Sequence, residues 1–121
     1  MAMSKGILSI ENMWNEDIKK VEIIFQNNAN EYESAFISYN LKDKQTLTDI
    51  FEFQFSVTEM SNWKGKIITK SGETWDSGDF LSCKINERDN GKVKISFNGN
   101  VKSLFVNYPA SISCSKKMQL I

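Results

Sequence analysis

Apolar positions along this chain recur with a period of two. The clearest run is Phe51, Phe53, Phe55 and Val57, alternating with Glu52, Gln54 and Ser56. Side chains of an extended strand point to opposite faces in turn, so this run reads as a strand with one buried face. A helix would scatter the same phenylalanines around its circumference. Val21, Ile23 and Phe25 alternate with Glu22 and Ile24; Trp63, Gly65 and Ile67 alternate with Lys64, Lys66 and Ile68; Val93, Ile95 and Phe97 alternate with Lys94 and Ser96. Further strands are expected at Ile7–Glu11, Ala35–Asn40, Phe80–Ile85, Val101–Tyr108 and Ser111–Ser115, the last with Ile112 and Cys114 inward. The polar stretch Lys42–Asp49 has room for a short strand around Thr46–Thr48.

Turn residues punctuate these runs. Asn12–Asp17 is a polar loop, Asn27–Asn30 ends the second strand, and Ser71-Gly72 is a turn. Asn90-Gly91 and Asn98-Gly99 are type I′ hairpin signals, because both central residues of that turn need positive φ. Pro109 ends the strand before it. A short helical turn near Glu16–Lys20 is the one departure from β structure the pattern leaves room for. Eight or nine short strands, with turns every 8–12 residues, predict an all-β, antiparallel two-sheet sandwich. Phe51, Phe53, Phe55, Leu81, Cys83, Ile85, Val93, Ile95 and Phe97 are its expected core.

The length of 121 residues fits one domain, 1–121, able to fold without staples. The formal net charge is zero, but residues 1–60 sum to −5 and residues 61–121 to +5. Neutrality and a single arginine, Arg88, argue against nucleic acid as a partner. The chain has no histidine, which removes Ser-His-Asp and Cys-His catalysis, most zinc sites and histidine pH switching. No cofactor or metal is expected, and the protein is expected not to be an enzyme; Asp76 and Asp79 are the only carboxylates that suggest an acid–base pair. The first residues lack a signal-peptide pattern, and no N-x-[ST] acceptor occurs. A cytoplasmic protein, or one released without a cleaved signal peptide, is expected. Cys83 and Cys114 are two inward cysteines, either free or bonded if their strands are neighbours.

One segment stands out, Ser71–Asp79, with two glycines, three carboxylates and Trp75 in nine residues. An aromatic platform beside carboxylates suits sugars and polar headgroups, and oxygen ligands also suit calcium, although the spacing is not that of an EF-hand. The plain alternative is a solvated hairpin with Trp75 packed on the sandwich edge. Trp14, in a polar loop, is either a second platform or folded back as a lid. Trp14, Glu73, Trp75, Asp76 and Asp79 are therefore the candidate ligand-binding residues. Lys64, Lys66, Lys70, Lys84, Lys92, Lys94 and Lys102 are either a basic sheet face or an ordinary solvated one.

The opening strand ILSIEN, the loop SGETWDSGD and the closing strands KVKISFNGNVKSLFVNYPAS give the chain a layout that resembles the aegerolysin family. The resemblance implies a single sandwich that binds membrane lipids, in some members acting with a larger partner as a two-component toxin. The expected function is non-catalytic recognition of glycan or lipid headgroups at a membrane surface, toxin-like. The alternative is a protein-binding module, such as an immunity factor or an assembly subunit, which would have a protein partner or form an oligomer.

Overall fold

The computed structural model describes residues 3–28 and 33–121. It is an all-β sandwich of two mostly antiparallel sheets. The strands are β1 (Ser4–Met13), β2 (Ile18–Asn27), β3 (Ser34–Leu41), β4 (Thr46–Phe55), β5 (Ser61–Thr69), β6 (Thr74–Asp76), β7 (Leu81–Ser82), β8 (Lys92–Asn98), β9 (Ser103–Asn107), β10 (Cys114–Lys117) and β11 (Gln119–Leu120). The first sheet runs β10-β9-β8-β1-β4 and the second β11-β6-β5-β2-β3, with β7 also paired to β5. All pairings are antiparallel except β1 with β8, which lie parallel.

The alternation has a direct outcome. Leu8 and Ile10 of β1, Val21, Ile23 and Phe25 of β2, Trp63 and Ile67 of β5, and Val93, Ile95 and Phe97 of β8 are all buried between the sheets. Phe53 knits the two layers: its ring lies 4.6 Å from Phe25 and 5.4 Å from Trp63. A Cβ at Gly6 would collide with that ring, and one at Gly65 would collide with Leu104. Bare backbone at Gly65 lets the layers close, while at Gly6, the partner of Phe53 on the neighbouring strand of the same sheet, it lets the Phe53 ring lie across β1. Phe51 and Leu81, expected in the core, are only partly buried and pack against its rim.

Several expectations are corrected: the described residues form eleven strands rather than eight or nine, because β6 and β11 are too short to show an alternation. Thr46–Thr48 and Phe51–Phe55 belong to one strand, β4, which bulges at Asp49. Asp49 takes positive φ there, and its amide donates to Ser9 Oγ. The expected Phe80–Ile85 strand shrinks to Leu81–Ser82 and is followed by a 3-10 turn at Glu87–Asp89. Asn90 and Gly91 both have positive φ, as a type I′ turn needs, but they lead into β8 of the other sheet and close no hairpin. Asn98-Gly99 does begin a hairpin, between β8 and β9, but its positive φ falls on Lys102. No helical turn forms at Glu16–Lys20, because Ile18 already starts β2. Ile112 is 90% exposed, because residues 108–113 run as a loop and β10 begins only at Cys114. The predicted turn at Asn27–Asn30 lies partly outside the described residues.

Cys83 and Cys114 form a disulfide, joining the chain just after β7 to β10 of the opposite sheet. A buried relay runs beside it: Trp63 Nε1 donates to Tyr108 Oη, and Tyr108 Oη donates to the Cys83 carbonyl. Burial pushes the Tyr108 phenol well above its ordinary pKa. Asp89 has no solvent exposure, and its carboxylate accepts from the Asn86 and Ala110 amides and from Ser111 Oγ. The burial itself raises its pKa, but these hydrogen bonds outweigh it and hold the carboxyl below the usual carboxylate value.

Candidate functional site

Trp14 and Trp75, 61 positions apart in the sequence, meet at one end of the sandwich. Their ring centroids are 5.4 Å apart in an edge-on arrangement. Lys102 Nζ sits over both rings, 4.8 Å from Trp14 and 5.2 Å from Trp75. Cation–π contacts of this kind contribute about 0.5–1 kcal/mol at exposed sites.

Each member has a local reason for its position. Asn12 is fully buried and organises the β1–β2 loop: its Oδ1 accepts from the Trp14 amide, and its Nδ2 donates to the carbonyls of Glu16 and Leu41. Asn15 takes positive φ in the same loop, a conformation asparagine tolerates. The Gly99 amide donates to the Met13 carbonyl, and a Cβ at Gly99 would strike the Trp14 backbone. Trp14 is thereby folded inward to 3% exposure. It offers no open face to a ligand; as a direct contact residue it is corrected to a backing for Trp75.

Trp75 is half-buried in β6, where it pairs with Ile67 of β5 on one side and Leu120 of β11 on the other. Its Nε1 points to Glu73 Oε1 at 3.4 Å, a long hydrogen bond. Lys102 has φ +49, unusual for a residue with a side chain, and its carbonyl accepts from the Met118 amide. That bond ties the β8–β9 hairpin to the C-terminal crossing from β10 to β11. Val101 and Leu120 are 50% and 55% exposed at this end.

The remaining candidates are dispersed by strand geometry. Asp76 follows Trp75 in β6, so its side chain points to the other face of the sheet. There its register partners are Lys66 and Gln119. It lines a shallow depression with Glu22, Ile24, Lys64 and Lys66, and Asp76 Oδ1 accepts from the Gly78 amide. Asp79 is exposed, and its backbone carbonyl accepts from Lys116 Nζ. Trp14, Glu73 and Trp75 therefore come together, while Asp76 and Asp79 do not join them. Among the described residues, no group of three or more His, Cys, Asp or Glu is placed to hold a metal ion.

The lysines expected to form one stripe are split as well. Lys64 and Lys66 lie on the outer face of the second sheet, Lys92 and Lys94 on that of the first, and Lys102 at the tryptophan end. Lys94 lies 3.7 Å from Glu11, within a polar web of Ser96 and Asn107. Sequence reasoning missed Lys102 as a partner of the tryptophans, and missed Val101 and Leu120 beside them. The only signal for Lys102 was its place in the hairpin that Asn98-Gly99 announces.

No helix among the described residues is long and apolar enough to cross a membrane. No family model matches the chain, and no curated protein matches it in sequence.

Proposed function

We propose that this is a non-catalytic recognition protein that binds glycan or lipid headgroups at a membrane surface. The observation that carries the reading is the partly exposed indole of Trp75, packed against the core and backed by Trp14, with Lys102 across both rings and Glu73 at its N–H. An indole of this kind, apolar in body and polar at one edge, suits the boundary between water and lipid. Lys102 supports the lipid branch over the glycan branch: its ammonium covers indole surface on which a sugar ring would stack, and it supplies a cation for an anionic headgroup. Val101 and Leu120 add exposed apolar surface at the same end. The Cys83–Cys114 disulfide supports release from the cell over residence in the cytosol, since disulfides persist in oxidising surroundings.

Co-sedimentation with neutral, anionic and glycolipid-containing vesicles, with and without calcium, tests this. Binding to anionic vesicles that weakens with salt, and is lost in both Trp75→Ala and Lys102→Gln, is the expected result. Failure to bind any of these vesicles ends the proposal.

A further inference from the structure

Among the described residues, the two sheets have four edges, and these are protected very unequally. β4 carries Asp49, Glu52 and a bulge; β10 carries Lys116 and Lys117; β11 has two residues. These are the usual devices that stop one sheet from pairing with another. β3 has no charge and no bulge; its one irregularity is Asn40, at positive φ next to its end. Its eight residues, Ser34–Leu41, include no charge and no proline, and they pair with β2 without a register shift. Among the described residues, no strand pairs with its other edge. Its outward side chains Ile37 and Tyr39 are 40% and 63% exposed.

We infer that β3 is a homodimer interface, pairing antiparallel with β3 of a second copy so that the two five-strand paths become one continuous sheet. A second copy is the partner that fits because β3 is self-complementary. An antiparallel pair related by a two-fold axis must place some residue opposite itself, and the strand then has to fit its own reverse. With Ile37 at the axis, Ile37 faces Ile37, and small Ala35 faces large Tyr39 in both directions. On the inner face, Phe36 meets Ser38. Ile24 is the β2 neighbour of Ala35, so the Tyr39 ring crossing over Ala35 meets further apolar surface. Ile24, Ala35, Ile37 and Tyr39 of both copies thus form one apolar strip across the joint.

Charge does not oppose this arrangement. The nearest charges in the central row are the two Glu22 side chains, each one strand back from the joint beside Ile37. They are three strand spacings apart, about 14 Å. That exceeds the screening length of about 8 Å at physiological salt. The Trp75 ends lie far from the joint, on β6 of each copy, so the dimer stands or falls independently of the membrane reading.

Sedimentation velocity of the full chain over a concentration series provides the test. A concentration-dependent dimer is expected. Ile37→Lys and Tyr39→Lys should each raise its dissociation constant about tenfold or more, with circular dichroism unchanged. Register is read separately: Ile37→Cys should be captured as a covalent dimer by mild oxidation, while Tyr39→Cys, displaced from the axis, should not. The Cys pair also decides the matter if a lysine variant fails to fold. A chain that stays monomeric at millimolar concentration overturns the inference. So does a dimer that persists in folded Ile37→Lys, or one that cross-links through residue 39 in preference to 37.

Discussion

The two long sides of the sandwich are built on different terms. On the side of β7 and β10, the sheets are joined by the Cys83–Cys114 disulfide and by the crossing of the chain through Met118. Buried Asp89 clamps the neighbouring loops through three hydrogen bonds. On the side of β3 and β4, the chain also crosses between sheets, at Lys42–Gln45, but no covalent bridge spans the gap. There the layers meet through side-chain packing, as where the Phe36 and Phe51 rings lie 5.2 Å apart. One side is sealed, and on the other, among the described residues, no strand pairs with the outer edge of β3. Stability is therefore expected to concentrate on the first side, and tolerance to surface change on the second.

Breaking the sealed side should have the largest effect. The disulfide closes a loop with a sequence separation of 31, for which chain-entropy arguments predict about 3–4 kcal/mol of stabilisation. Chemical denaturation of Cys83→Ser/Cys114→Ser, or of the native chain under a thiol reductant, should show a loss of that size. A loss near zero would mean that the clamp and the crossing seal this side without the bridge.

Asp89 comes next. Asp89→Asn keeps the shape but weakens charge-assisted hydrogen bonds, at a cost of about 2 kcal/mol. The pH dependence carries the sharper signature. Its pKa is lower in the folded state than the ordinary carboxylate value of 3.8, so its contribution is fully present above that value. The contribution is lost as pH falls from 3.8 through the folded value. Melting temperature in acid should fall less steeply for Asp89→Asn than for the native chain; parallel curves would show that other carboxylates set the acid limit.

The smallest effect is expected on the open side. Ile37→Lys and Tyr39→Lys replace exposed side chains and should change the stability of the monomer by no more than about 0.5 kcal/mol. They should act on association alone. A large loss of monomer stability in either would show that the β3 edge is held more tightly than its exposure implies.

The difference between the sides was only partly legible in the sequence. The strands of the core announce themselves because alternation is local: Val93, Ile95 and Phe97 reveal their common face without reference to any other part of the chain. Cys83 and Cys114 were visible as inward cysteines, but their bond depends on two loops being brought together from opposite sheets. Asp89 gave no signal at all. A buried carboxylate looks like any solvated one until Asn86, Ala110 and Ser111 close around it.

The candidate site divides in the same way. Trp14, Glu73 and Trp75 were identifiable from composition, and they do converge. Asp76 looked equivalent to Trp75 because it is next to it, and the strand pleat separates them for that very reason: adjacent residues of β6 face opposite ways. Lys102 is invisible by proximity, since its contact with both indoles requires the β8–β9 hairpin to meet the β1–β2 loop and β6.

What the sequence determined by itself was the long strands, most of their inward faces and the two-layer architecture, because a period of two and the chemistry of turns act within a few residues; the short strands β6 and β11 carry no alternation to announce them. What only the tertiary structure decided was which strands are neighbours. The parallel β1–β8 pair, the bridge between sheets, the tryptophan–lysine cluster and the open β3 edge all follow from non-local pairing, on which local periodicity is silent.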